Sequence, residues 1–380
     1  MPWQECSTMS LRQEFLALAQ PGSNFSQLCR RFGISRKTGY KWRRRYREKG
    51  TVGLADRSRR PQYSPRHSRP AIEQQVLAVR DEYGWGARKI KTCLERAGQG
   101  LAKSTIHSIL LRHDRVSNAT HKKVGPYQRF EQERPNQLWQ MDFKGHFRLG
   151  NQERCHPLTV LDDHSRYSLC LQACRNERTA TVQQQLTATF RRYGLPERML
   201  MDNGSPWGND LAHQYTPLTV WLLRLGIAVS HSRPYHPQTQ GKDERFHRRL
   251  KVEVLAQRVF ADFARMQSRF DDWRYCYNHV RPHEALAMEV PASRYQPSPR
   301  SFCEQLLPIE YSPTDQVRKV QSNGHITFRS REFAIGKAFF GYLVALRPTA
   351  TDGVYDVYFA THRIVQVDLR QISNQLTAAH

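Results

Sequence analysis

The 380-residue sequence predicts a multidomain chain: all-α helix-turn-helix modules at the N-terminus, a central α/β unit with a mixed sheet and helices on both faces, and a small C-terminal β-barrel. Three observations carry that prediction. Apolar residues recur at helical spacing through the first 113 positions. From about Asn136, strand-like runs alternate with helical ones. From Val317 to Val367, short alternating runs are separated by Asn323-Gly324, Gly336, Gly341 and Asp352-Gly353.

The first helical stretch has two triplets. Residues 11–20 and 25–32 carry Leu11, Phe15 and Leu18, then Phe25, Leu28, Cys29 and Phe32, at helical spacing; Gly33-Ile34-Ser35 supplies a turn with a serine N-cap. The helix that follows, from about Arg36 to Lys49, is strongly basic: eight of the 15 residues from Ser35 are Lys or Arg, interleaved with Tyr40, Trp42 and Tyr46. A helix, a Gly-bearing turn and a basic helix is the order in which the second helix enters a DNA major groove. Arg36, Lys37, Tyr40, Lys41, Arg43, Arg44, Arg45 and Arg47 are therefore expected to contact DNA. After an Arg/Ser/Pro-rich linker, Asp56 to Pro70, a second triplet runs through Ile72–Tyr83, Ala87–Ala97 and Lys103–His113, and Lys103 and Ser104 open its last helix as candidate DNA contacts. Two modules on a basic linker can span a longer site than one.

Charge supports that assignment by where it lies. Residues 1–130 hold 27 Lys and Arg against 9 Asp and Glu, while the remaining 250 hold 32 against 25, within a formal total of +25. Phosphates release counterions when such side chains replace them, so the N-terminal third is expected to hold the polyanion. No run of about 18 apolar residues occurs, and Met1 to Ser10 lacks a charged start followed by an apolar stretch, so neither a membrane span nor a secretion signal is expected and the chain reads as intracellular. The eight cysteines are scattered without a Cys-x-x-Cys pair, which argues for reduced, mostly buried thiols. His279 and His283 are separated by a helix-breaking Pro282 and have no partner at zinc spacing.

In the central unit, Leu138–Phe147, Leu158–Leu161 and Tyr167–Ala173 read as strands, followed by a helix Thr179–Tyr193 stopped at Gly194. A strand delivering Asp202, a helix Thr216–Leu225, a strand Ile227–Ser230 and a helix Thr239–Ala256 complete it. Asp142 interrupts the apolar run Leu138-Trp139-Gln140-Met141-Asp142-Phe143, and Asp202 ends Met199-Leu200-Met201. Burying a carboxylate in a strand is costly unless a cation or hydrogen bonds compensate it, so two such strands and a nearby helical Glu244 suggest a shared divalent metal. Adjacent helical residues point about 100° apart, so only one of Asp243 and Glu244 faces the sheet. Glu244 is expected there with Gln240, Arg248 and Lys251, offering a carboxylate to metal and cations to DNA phosphate; Asp243 and Arg245 are expected to face elsewhere.

Four strings in this order, Trp-Gln-Met-Asp142, Leu161-Asp-Asp-His-Ser-Arg166, Asp202-Asn-Gly-Ser205 and Pro234-Tyr-His-Pro-Gln-Thr-Gln-Gly-Lys-Asp-Glu-Arg245, closely resemble the catalytic core of retroviral integrases and bacterial insertion-sequence transposases of the Asp-Asp-Glu type. The resemblance covers residues 131–296 and implies a ribonuclease H-like fold, with Asp142, Asp202 and Glu244 as catalytic metal ligands. The 41 residues between Asp202 and Glu244 exceed the family's usual interval, and the excess is expected in a loop within Trp207–Leu218. Three hard oxygen ligands suit two Mg²⁺ ions, with Mn²⁺ as a substitute, for in-line phosphoryl transfer. The implied activity is cleavage at insertion-sequence ends to free 3′-hydroxyls and their joining to target DNA. The implied partners are double-stranded DNA, as transposon ends and target, and further copies of the chain in a dimer or larger assembly, in the bacterial cytoplasm at the nucleoid.

The domain limits that follow are 1–55, a linker 56–70, 71–125, 131–296 and 314–372. Asp162 and Asp163 read as a turn between strands, Asn203-Gly204 as the turn that aims Asp202 with Asn203 touching DNA, and His231 and His236 as loop structure or DNA contacts. Phe260–Asn278 reads as a core helix, and Asn278–Leu286 as a segment that closes the core by packing. Two rival classes stay open at this point: a DNA-binding regulator needing only the helical modules, and a nuclease that cuts without joining.

Overall fold

The computed structural model describes residues 7–58, 67–116, 131–208, 215–231, 241–256, 259–371 and 377–378. The chain divides into two compact units, Met1–Ser68 and Arg69–His380.

In the first unit, helices α1 (Thr8–Leu18), α2 (Phe25–Arg31) and α3 (Arg36–Lys49) bury Phe15, Cys29 and Trp42, with Leu54 added from a following 3-10 turn. Asn24 and Ser35 cap α2 and α3 by accepting from the backbone amides of Gln27 and Thr38, each at 3.1 Å. Gly39 is what lets α3 lie close to its neighbours. A Cβ there would come within 2.8 Å of Cys29 Sγ and 3.0 Å of the Phe15 and Phe25 rings.

The second unit begins with α4 (Pro70–Tyr83), α5 (Ala87–Arg96) and α6 (Lys103–Arg112), packed around Val76, Trp85, Ile90, Ile106 and Ile109. Glu73, inside this bundle, is held by Arg112 and by His113 at 2.9 Å. Cys276 and Val280 of the chain's later segment pack against the same cluster.

The central sheet comprises β1 (Leu138–Phe143), β2 (Phe147–Arg148), β3 (Arg154–Asp162), β4 (Ser168–Cys174), β5 (Arg198–Met201) and β6 (Ala228–His231). β4, β3 and β1 pair antiparallel; β1, β5 and β6 continue in parallel. The sheet is mixed, as expected from the sequence. The expected single strand Leu138–Phe147 is instead broken into β1 and β2 across Gly145, which takes φ +82°. Helices α7 (Thr179–Tyr193) and α8 (Pro217–Arg224) share one core with Trp139, Met141, Val160, Met199 and Met201. Helices α9 (Gly241–Leu250) and α10 (Phe263–Tyr275) share a second with Leu161 and Leu171, through Phe246, Leu250, Met266 and Phe270. These two cores cover opposite faces of the sheet, because strand side chains alternate sides: Trp139 and Met141 go one way, Gln140 and Asp142 the other.

Both helices of the second face end in a π-helical turn, Lys251–Leu255 after α9 and Cys276–Val280 after α10, where the sequence suggested unbroken helix. Arg281, 3% exposed, pairs with Glu253 from the first of these turns, and Trp273 Nε1 donates to the same carboxylate at 3.0 Å.

The C-terminal strands are β7 (Gln316–Lys319), β8 (His325–Phe328), β9 (Arg331–Ala334), β10 (Leu343–Pro348), β11 (Val354–Phe359), β12 (His362–Asp368) and β13 (Thr377–Ala378). They form a five-stranded sheet ordered β13-β12-β11-β10-β7 and a β8-β9 hairpin. The expected barrel thus takes the form of a sheet and a hairpin closed over one core of Ile326, Phe328, Phe339, Leu346, Val357 and Phe359, which Val220 and Leu223 of α8 also join.

Candidate metal centre

Asp142 lies near the end of β1 and Asp202 immediately follows β5. The two strands run parallel with Gln140 opposite Leu200, so carrying that register two residues further sets Asp142 beside Asp202 on the same face. Apolar neighbours explain the placement: Met141 and Met201 anchor the strands in one core and turn the intervening carboxylates toward the other face. Burial foremost, and the Asp202 charge second, push the Asp142 carboxyl up to about 7, against a backbone hydrogen bond at Phe143 and the Lys144 charge. Asp202 is half-buried and its carboxylate accepts from the Gly204 amide at 3.1 Å, so Asn203-Gly204 is the turn that fixes its direction. Asn203 itself is exposed.

Helix α9 presents a different acid from the one expected. Asp243, Phe246, His247 and Leu250 are its buried residues, whereas Glu244, Arg248 and Lys251 are exposed. The stripe that joins Glu244 to Arg248 and Lys251 does exist, but it faces outward, and the inward carboxylate is Asp243. The physical reason is packing: Phe246 and Leu250 must reach the apolar core beside Met266 and Phe270, which rotates Asp243, three and seven residues before them, to the same side. Gln240 lies outside the described residues, as do His236 and the middle of the Trp207–Leu218 loop.

Thr159 and His247 form a short hydrogen-bonded chain beside Asp142. Thr159 Oγ1 donates its one proton to the Asp142 carbonyl at 2.9 Å, so it must accept from His247 Nε2 at 2.8 Å. That assigns the His247 tautomer and leaves its Nδ1 lone pair 3.7 Å from Asp142 Oδ2. Burial, reinforced by Lys144, holds His247 at about 3, so the ring is neutral. Asp243 is 1% exposed, and among the described residues neither of its carboxylate oxygens has a hydrogen-bond partner; Gln140 Oε1 is also buried without one there. Burial, then the charges of Asp142 and Asp163, hold the Asp243 carboxyl well above the usual carboxylate range.

Such an accumulation of buried, unpartnered oxygens around two strand-borne carboxylates fits a hard divalent cation in its donor chemistry. No three His, Cys, Asp or Glu residues among those described converge closely enough to hold a metal by themselves.

The other candidates fall into place by their contacts. Asp162 accepts from the Asn136 amide at 2.7 Å and from the Ser165 amide and hydroxyl at 2.8 and 2.6 Å. Asp163 accepts from the Gln132 amide and Gln140 Nε2 at 2.9 and 2.8 Å and is paired with Lys242. Both are turn-forming, as the sequence suggested. His231 Nδ1 bonds the Asp202 carbonyl at 2.8 Å, so this histidine braces the strand end that carries Asp202. In the first unit, Arg36, Lys37, Tyr40, Lys41, Arg44 and Arg47 line the exposed side of α3, while Arg43 and Arg45 are half-buried, lying over the Phe25 and Trp42 rings at 5.1 and 5.0 Å. Lys103 and Ser104 are exposed at the start of α6. The inward acid Asp243, the His247–Thr159 bond and the Lys242–Asp163 pair were beyond the sequence reading; Phe246 and Leu250 were the signal that could have found the first.

Comparison with known proteins follows the same segments. Residues 132–237 and 225–291 match the integrase core domain, and residues 315–375 match the IS481 family transposase, C-terminal domain. Residues 11–62 match a helix-turn-helix domain and residues 38–110 a homeodomain-like domain. Among curated proteins, the insertion element IS407 uncharacterized 31.7 kDa protein of Burkholderia multivorans is 24% identical over 235 residues, 59% of this chain and 82% of that one. The insertion element IS476 uncharacterized 39.2 kDa protein of Xanthomonas euvesicatoria is 30% identical over 160 residues, 42% of this chain and 44% of that one. The transposase for transposon Tn552 of Staphylococcus aureus is 25% identical over 264 residues, 62% of this chain and 53% of that one. The chain thus spans about half the length of the last two. Among solved structures, a chain of the simian T-cell lymphotropic virus intasome in complex with the PP2A regulatory subunit B56 gamma aligns with a TM-score of 0.38 at 16% identity, covering 74% of this chain and 95% of that one.

Proposed function

From a chain that carries an integrase core domain, helix-turn-helix domains and the C-terminal domain of the IS481 transposase family, we propose a DNA transposase that cleaves the ends of an insertion sequence and joins them to target DNA, with Asp142, Asp202 and Glu244 as its catalytic carboxylates. The observation that carries this reading is the pairing of Asp142 and Asp202 on one face at the ends of two parallel strands, beside an acid-bearing helix. In the first step a water oxygen attacks phosphorus at the transposon end, and the bond to the 3′ oxygen breaks to leave a 3′-hydroxyl. That hydroxyl then attacks a phosphodiester of the target, displacing its 3′ oxygen and joining the strands.

Mg²⁺, or Mn²⁺ in its place, would activate the attacking oxygen and stabilise the leaving one. Asp142 and Asp202 would hold it, fixed by their strands and by the Gly204 amide. Glu244 shares its exposed stripe with Arg248 and Lys251, so the same helix edge would meet the DNA backbone. The exposed face of α3, with Arg36, Lys37, Tyr40, Lys41, Arg44 and Arg47, would read the end sequence, and Lys103 and Ser104 of α6 would add a second contact. Joining two ends in one event calls for at least two copies of the chain on DNA.

Incubation with paired end DNA, a target plasmid and Mg²⁺ separates this function from its rivals. Joined products are expected; binding without cutting would indicate a regulator, and cutting without joining a nuclease. Asp202→Asn is expected to reduce both cleavage and joining below detection while end binding stays within about twofold. Strand transfer by the purified variant would remove Asp202 from the centre.

A further inference from the structure

We propose that Asp243, together with Asp142, binds a divalent cation in the DNA-free protein, so that the centre has an inward fourth carboxylate besides the three assigned above. The inference rests on that assignment of Asp142 and goes beyond it. A fully buried carboxylate with no hydrogen-bond donor on either oxygen is among the most costly groups a fold can contain, and folds retain one where a ligand compensates it.

The surroundings of Asp243 specify the ligand. Its neighbour Lys242 acts on it only through charge and pairs instead with Asp163, with a further hydrogen bond to the Asp163 carbonyl at 3.2 Å, so that ammonium is already committed. One helical turn further along the same face, His247 aims an unprotonated Nδ1, not an N–H, toward Asp142 Oδ2. Gln140 Nε2 donates to Asp163 Oδ1 and its Oε1 is left bare, on the strand face shared with Asp142. Among the described residues, two carboxylates, an amide oxygen and one neutral imidazole nitrogen meet here, with the Phe143 amide and the Lys144 charge acting on Asp142; an acceptor set of this kind matches a small hard cation and mismatches an anion. Gln140 and water would complete the coordination of an ion shared by the two carboxylates.

Glu244 has a separate part in this arrangement. It faces outward beside Arg248 and Lys251, where DNA phosphates would arrive, so it would join the metal only when DNA is bound. Asp243 would keep a cation at Asp142 before that.

The test is Mn²⁺ binding by the full chain without DNA, followed by the paramagnetic resonance of the free ion at fixed pH, for wild type, D243N, D243L, E244Q and D142N. D243N and D243L are expected to weaken binding at least tenfold, and E244Q less than threefold. Wild-type affinity in D243N and D243L, or a larger loss in E244Q than in either, would overturn the proposal. D142N reports on the underlying assignment: a loss there with none at Asp243 defeats only the fourth carboxylate, whereas no loss at Asp142 defeats the metal centre itself. Circular dichroism in EDTA checks folding, and both Asp243 variants are expected to melt no lower than wild type there, since each removes an uncompensated buried acid. In Mn²⁺, wild type and E244Q should gain more in thermal midpoint than D243N, D243L and D142N.

Discussion

At the scale of single residues, the segment that closes the catalytic unit carries a titratable group held far from its ordinary behaviour. His283 is packed edge-on against the Tyr277 ring, centroids 4.6 Å apart, and its Nε2 donates to the Tyr277 carbonyl at 3.1 Å. Burial foremost holds it at about 3; that hydrogen bond opposes the shift, and the cations Arg281, Lys89 and Arg166 add to it. The native ring is therefore neutral, whereas in the unfolded chain it titrates near its ordinary 6.5. The sign follows from proton counting: below 6.5 the unfolded state binds a proton that the native state refuses until about 3. The stability that His283 contributes is complete above 6.5 and is lost progressively as the pH falls between those values. Urea unfolding from pH 7.5 to 5 should show a midpoint that falls with acid, and His283→Gln should flatten that slope. Equal slopes in the two proteins would show that His283 is not the group responsible.

Elements differ in how far their sequences disclose them. The limits of α3 were legible because both ends are written locally, a Ser35 cap at one and Gly50 with φ +60° at the other. The end of α7 was legible for the same reason, through Gly194. The break between β1 and β2 and the π turns after α9 and α10 were not, since one extra residue per turn changes neither composition nor apolar spacing enough to be read. The inward side of α9 differs from the expected one because its acids do not set the rotation; Phe246 and Leu250 do. Both strand-borne acids, by contrast, were legible as exceptions inside apolar runs. For α3 the exposed pattern Arg36, Lys37, Tyr40, Lys41, Arg44, Arg47 yields a direct expectation. Lys41→Ala should weaken binding to all DNA sequences alike and lower the slope of log affinity against log salt by about 1, because one phosphate contact is lost. A mobility-shift titration across salt measures both. A change confined to one base position would instead make Lys41 a base reader.

Across the whole molecule, the second helical triplet is coupled to the catalytic unit by contacts that no local pattern could announce. Arg96 of α5 donates to the carbonyls of Val280 and Met288 at 3.4 and 2.8 Å, partners 184 and 192 positions away, and Arg88 pairs with Glu284 at 3.4 Å. Cys276 and Val280 meanwhile pack against the core of that triplet. The contacts place α5 against the closing segment and leave Lys103, Ser104, His107 and Ser108 of α6 exposed. If α6 grips the transposon end, this docking sets the distance from the gripped DNA to Asp142 and Asp202. A positioning role of that kind separates affinity from rate, since the DNA-contacting surface survives when the docking is loosened. Arg96→Ala removes two hydrogen bonds from a charged donor, each contributing about 1.5–3 kcal/mol at most, and every 1.4 kcal/mol of lost docking is about tenfold in the population of the aligned state. End binding by Arg96→Ala should therefore stay within about threefold of wild type, while release of the 3′-hydroxyl slows by about tenfold or more. Measured together on one end-DNA duplex, equal losses in binding and cleavage would show that α5 serves the DNA grip itself, and unchanged cleavage would show that the docking does not align the site.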